Sequence, residues 1–149
     1  MIFSIRHLRP HIQLRLFAPS DVDQHVFVDD LAGMSLIDVK AFALDPDVTL
    51  RRLAARSRMN LDAGLQRILC TDPDESVVLE LLSQVDPTVE MCSLIIDGPH
   101  VNARRNLARR HLTTDILRTL TRDEDDAVRE LSESTLTTRG IPTTTAVAR

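Results

Sequence analysis

The chain has 149 residues, 43% of them hydrophobic and 27% charged, with a formal net charge of −4. A chain of this length is expected to form one domain that buries roughly 70% of the surface its unfolded form exposes. The charge balance implies neither a wholesale nucleic-acid surface nor disorder, and no apolar run approaches the roughly 20 residues of a membrane span.

Only four aromatic residues are present, Phe3, Phe17, Phe27 and Phe42, all in the N-terminal third. The remaining core must come from Leu, Val, Ile and Ala, which suits closely packed helices. Lys40 is the only lysine, and the excess of Arg reads as a GC-rich genome rather than guanidinium chemistry. Cys70 and Cys92 lie in no CxxC and sit among apolar residues, as buried structural thiols do. Arg6 and Arg9 precede Pro10, Gln13 and Arg15, which interrupt any signal-peptide core, so the cytoplasm is the expected compartment.

Residues 1–19 fit two descriptions. The alternation from Ile12 to Leu16 suits a half-buried strand, while Leu8, Ile12 and Leu16 also share a helical face. Ala18-Pro19 ends that stretch. Ser20 with Asp23 resembles a capping box for a helix over 21–31, with Gly33 as its C-cap, and Ser35 with Asp38 repeats the pattern for 36–44. Residues 1–44 thus form an atypical N-terminal cap, as a terminal repeat should.

From residue 45 one phrase recurs. Asp45-Pro46-Asp47-Val48-Thr49-Leu50-Arg51-Arg52-Leu53 returns as Asp72-Pro73-Asp74-Glu75-Ser76-Val77-Val78-Leu79-Glu80-Leu81, and again as Asp123-Glu124-Asp125-Asp126-Ala127-Val128-Arg129-Glu130-Leu131, with a weaker copy opening at Pro99. Taking Leu53, Leu81, Leu107 and Leu131 as equivalent gives steps of 28, 26 and 24 by subtraction. A second register, from Leu61 to Val77, returns a constant 51 positions later between Leu112 and Val128, and the two registers disagree by one residue after the turn. Self-similarity at such a period marks a repeat array. Each phrase needs a second helix: Asn60 can cap 61–69, Asp86-Pro87 can open 88–95 before Gly98, and Thr113 can cap 114–121. The repeats are expected to fill 45–134, and the Thr-rich, aperiodic 135–149 to form a mobile C-terminal tail.

The acid-Pro/acid-Asp turn followed by an apolar residue, Arg, one more residue and Leu resembles the leucine-rich repeat variant and HEAT-like family of bacterial helical repeats. The resemblance covers 45–134. It implies an all-α fold, a short right-handed α-solenoid of stacked helix pairs. It also implies that the motif Arg pairs with an Asp of an adjacent repeat, so that Arg51 and Arg129 would meet loop acids such as Asp74 or Asp125. In the second repeat Leu79 stands where Arg is expected after Val78, which interrupts such a ladder.

Charge is banded. Residues 72–98 carry Asp72, Asp74, Glu75, Glu80, Asp86, Glu90 and Asp97 without Lys or Arg; residues 99–122 carry Arg104, Arg105, Arg109, Arg110, Arg118 and Arg122 against Asp115 alone. Either adjacent repeats attract each other across their seam, or the surface is two-toned and orients a charged partner. The candidate partner-binding residues are Arg104, Arg105, Arg109, Arg110 and Arg118 with Glu80 and Glu90. No HExxH, Walker loop or GxGxxG occurs, and Pro10 between His7 and His11 spoils a helical metal pair, so no catalytic residue, metal or cofactor is expected. The expected function is a non-catalytic protein–protein interaction module, with self-association open and no membrane partner. The alternative is a nucleic-acid-binding module contacting phosphates through the 104–110 face, although no Trp or Tyr is present to stack a base.

Overall fold

The computed structural model describes residues 36–57 and 61–143. Every regular element among them is a helix: α1 (Leu36–Ala43), α2 (Val48–Arg56), α3 (Ala63–Cys70), α4 (Glu75–Gln84), α5 (Val89–Ile96), α6 (Val101–Ala108), α7 (Thr114–Leu120) and α8 (Asp126–Thr138). The expectations for 1–35, including the strand-or-helix stretch, the 21–31 helix and the His7–His11 pair, lie outside the described residues, as do Asn60 and 144–149.

The recurring Asp-x-Asp turn explains where three of the four even helices, α2, α4 and α8, begin. The first acid folds back on the chain: Oδ1 of Asp45, Asp72 and Asp123 accepts the N–H of Asp47, Asp74 and Asp125 at 2.8, 2.8 and 2.9 Å. The second acid is the N-cap. Asp47 accepts from Thr49 N–H, Asp74 from Ser76 N–H and Asp125 from Val128 N–H, each satisfying a backbone donor that the first helical turn leaves open. The odd helices use Asp62, which accepts from Leu65 N–H at 2.8 Å, and Thr88, which accepts from Met91 N–H at 3.2 Å. Asp62, two residues beyond Asn60, is therefore the cap of α3. Thr113 holds the N-cap position of α7 without a side-chain bond.

These caps fix the repeat register. The even-helix N-caps are Asp47, Asp74, His100 and Asp125, which stand 27, 26 and 25 residues apart by subtraction. In that register the seventh residue after the cap is Ala54, Leu81, Leu107 or Ser132, and all four are buried. Leu53 and Leu131 sit one position earlier and are only half-buried. The four leucines are thus not equivalent, and the one-residue disagreement between the two sequence registers disappears: Asp74 and Asp125, both N-caps, keep the 51-residue spacing.

Packing follows two rows. Among the odd helices α1 meets α3, α3 meets α5 and α5 meets α7; among the even helices α2 meets α4, α4 meets α6 and α6 meets α8. Each odd helix also packs on the even helix that follows it. The shared interior is aliphatic, with Val39, Leu65, Leu69, Val77, Leu81, Ile95, Leu107, Leu117, Leu120 and Val128 sealed from solvent. Each such side chain contributes roughly 1.5–3 kcal/mol by leaving water.

The C-terminal boundary lies later than the expected 134. Helix α8 runs to Thr138, with Leu136 buried. Gly140 then takes φ +68°, its N–H donates to Thr137 C=O and Ile141 N–H donates to Leu136 C=O. That double bond around a left-handed glycine is a Schellman C-cap. Ile141 packs against the core, and Arg139 Nη1 donates to Leu112 C=O at 2.6 Å. Residues 135–143 are therefore part of the packed body.

Candidate partner-binding surface

The arginine four residues past the even-helix N-cap folds back over its own turn, and in Arg51 and Arg104 it is largely buried. Arg51, Arg104 and Arg129 hold this position, and each uses Nη1 to bind the carbonyls of its own turn: Asp45 and Pro46 at 3.0 Å each, Gly98 at 2.9 Å, and Asp123 and Glu124 at 2.7 and 3.0 Å. The remaining donors of Arg51 and Arg104 reach the acid that opens the next repeat. Arg51 Nε and Nη2 meet Asp72 at 2.7 and 3.2 Å. Arg104 Nε and Nη2 meet Asp123 at 2.8 and 3.3 Å, with Glu124 also 3.0 Å from Nη2. The planar guanidinium suits this two-pronged arrangement. Asp72 raises the Arg51 pKa by accepting its hydrogen bonds, an effect that outweighs desolvation.

The acceptors are thus the first acids of the turns, Asp72 and Asp123. Arg51 does not meet Asp74, and Asp125 pairs instead with Arg105, whose Nε and Nη2 lie 3.0 and 2.8 Å from its two oxygens. Arg105 holds the Asp125 carboxyl below its ordinary value, and Asp125 raises Arg105 in turn. Arg129 turns its last prong onto Asp126 of its own helix.

Between the second and third even helices both halves of this arrangement are replaced. Val78 stands where Arg is found in the other repeats, and Gly98 stands where the turn acid is found. Other groups take over. Glu75, at the start of α4, accepts from Asn102 N–H, Asn102 Nδ2 and Ala103 N–H at 2.7, 2.9 and 3.3 Å. It thereby caps α6, whose own N-cap residue His100 makes no side-chain cap bond. Burial raises the Glu75 carboxyl, but its bonds to Asn102 and Ala103 and the nearby His100 leave it below its ordinary value. His100 Nε2 lies 2.8 Å from the Asp72 carbonyl oxygen.

The arginines of the 104–110 stretch do not share one exposed face. Arg104 is 3% exposed and fully engaged in the interior. Arg110 donates Nε to Asn106 at 2.8 Å, donates Nη2 to the Leu82 carbonyl, and approaches the exposed Asp86 at 3.9 Å. Arg109 is exposed and no carboxylate among the described residues pairs with it. Arg118, on α7, is also exposed. Glu80 receives Arg56 Nε at 2.9 Å and Arg52 Nη2 at 3.5 Å, and Glu90 pairs with Arg67. The seven candidates are therefore divided among the interior (Arg104), the even row (Glu80, Arg105, Arg109, Arg110) and the odd row (Glu90, Arg118).

A direction emerges from these pairs. Lys40–Asp62, Arg51–Asp72, Arg52 and Arg56–Glu80, Arg67–Glu90, Arg104–Asp123 and Arg105–Asp125 all run from a base to an acid 19–28 residues further along the chain. The basic band accordingly pairs forward with 123–125, and the acidic band pairs back to 51–67. Among the described residues, Arg110–Asp86 is the one ion pair across the junction between the bands.

Cys70 and Cys92 are free and buried; burial pushes the Cys70 thiol up to about 11 and raises Cys92 as well, which disfavours the thiolate form of both. Among the described residues no cluster of three or more His, Cys, Asp or Glu side chains could hold a metal ion, and no helix is long and apolar enough to cross a membrane. No family model, curated protein or solved structure matches the chain.

Proposed function

We propose that the chain is a short α-solenoid of the HEAT-like kind, built from helix pairs of about 26 residues, and that it binds another protein without catalysing a reaction. The row-by-row packing supports the architecture. The binding surface is the outward side of the even helices, where Arg105 and Arg109 lie opposite the buried stripe and Arg52 and Arg56 largely cover Glu80. The observation that carries this reading is the internal use of the arginines. Arg104, Arg105 and Arg110 spend their donors on Asp123, Asp125 and the Leu82 carbonyl, which leaves few free cations for a phosphate backbone.

The test places a photo-crosslinking residue at exposed even-row positions Ser83 and Ser134, and at exposed odd-row positions Ser93 and Thr119. One defined protein captured from the even row alone, and lost on Arg109→Glu, is the expected result. Capture from both rows alike, or from neither, removes the reading. The nucleic-acid alternative rests on Arg109 and Arg118. It predicts duplex binding at low salt that weakens steeply as salt rises and collapses in Arg109→Glu/Arg118→Glu.

A further inference from the structure

We propose that the stack contains a built-in hinge at Asp97-Gly98-Pro99-His100, between a block ending with α5 and a block beginning with α6. On the N-terminal side Arg51–Asp72 and Glu80 with Arg52 and Arg56 bind α2 to the turn and helix of α4. On the C-terminal side Arg104–Asp123 and Arg105–Asp125 bind α6 to the turn that opens α8. Across the junction the turn-binding Arg and its Asp are both missing, as Val78 and Gly98 show. Helices α4 and α6 also pack less extensively than α2 with α4 or α6 with α8.

Besides the apolar packing of α4 on α6 and of α5 on α6 and α7, what crosses the junction is a set of polar links: Glu75 to the first turn of α6, His100 Nε2 to the Asp72 carbonyl, and Arg110 to the Leu82 carbonyl and Asp86. The Glu75–Asn102 bonds are exposed and the Arg110–Asp86 pair ends on a carboxylate fully in water, where such contacts are worth little. Glu75 is the latch, because its carboxylate reaches from the first block to two backbone N–H groups of the second. Opening would exchange these bonds for water and loosen part of the apolar packing between the two blocks, while leaving the buried rungs of each block intact. Packed blocks joined at a short turn move in this way about a few residues. The hinge stands independently of which partner the surface binds.

Spin labels on the full chain test it, with cysteines placed at exposed positions 49 and 83, 83 and 109, or 109 and 134, all in the even row. Cys70 and Cys92 are buried and stay unlabelled. The 83–109 distance distribution should be about twofold broader than 49–83 or 109–134, and Glu75→Ala should broaden 83–109 alone. Three distributions of equal width would overturn the proposal. So would equal broadening of all three pairs by Glu75→Ala, which would mark Glu75 as a general stabilising residue rather than a latch.

Discussion

Arg104 Nε lies 2.8 Å from Asp123 Oδ2, and the two side chains are only 4% and 6% exposed. Neither charge has enough water to survive the loss of the other. Arg104→Ala should therefore destabilise the fold by about 3–5 kcal/mol, the range seen when one member of a buried pair is removed. Arg105→Ala should cost much less, because Arg105 and Asp125 are 37% and 22% exposed. Urea denaturation of the two variants checks this; equal losses would mean the Arg104 pair is not buried as described.

The cap-based register makes a separate prediction. Leu81→Ala and Leu107→Ala remove side chains with no solvent exposure and should each cost about 2–5 kcal/mol. Leu53→Ala and Leu131→Ala, half-buried at the neighbouring position, should fall below that range. Four equal losses would restore the simple leucine alignment and contradict the register set by Asp47, Asp74, His100 and Asp125.

Four carboxyls among the described residues titrate below their ordinary values in the folded chain. Leu65 N–H lowers Asp62, the Ser76 hydroxyl lowers Asp74 and Arg105 lowers Asp125, while the bonds to α6 overcome the burial of Glu75. In acid the unfolded chain then binds protons that the folded chain refuses. The stability these groups provide is complete above the ordinary values of 3.8 for Asp and 4.5 for Glu, and falls as pH drops through and below them. The urea midpoint should hold from about pH 7 to about pH 5 and drop by about pH 3. An unchanged midpoint would show that these caps contribute nothing.

Gly140 sits at φ +68° with open space around a would-be Cβ. The cost of Gly140→Ala is thus conformational rather than steric, about 1–2 kcal/mol for a left-handed L-residue. Because Ile141 N–H and Gly140 N–H close the end of α8, amide exchange at these two positions should accelerate most. Acceleration spread evenly along α8 would argue against a local cap.

Much of this arrangement was legible in the chain itself. Asp-Pro-Asp at 45–47 and 72–74 signals a helix start by local chemistry alone, since each carboxylate binds a donor within three residues. The helical period and the all-helical class follow from similar short-range rules, and the break in the second repeat was also visible, though it was expected at Leu79 and the cap at Asp74 places it one residue earlier, at Val78. The C-terminal stop was also written locally, as Arg139-Gly140-Ile141-Pro142, but the surrounding threonines masked it as a tail.

Side-chain destinations were another matter. Nothing near Glu75 indicates that it caps a helix 27 residues away, and nothing near Arg104 separates its interior position from the exposed Arg109. Sequence determined where helices begin and end, because capping and periodicity act over a few residues. The tertiary structure decided which charges are buried, which acid each arginine meets and where the ladder breaks, because those outcomes depend on the register in which one helix lies against the next.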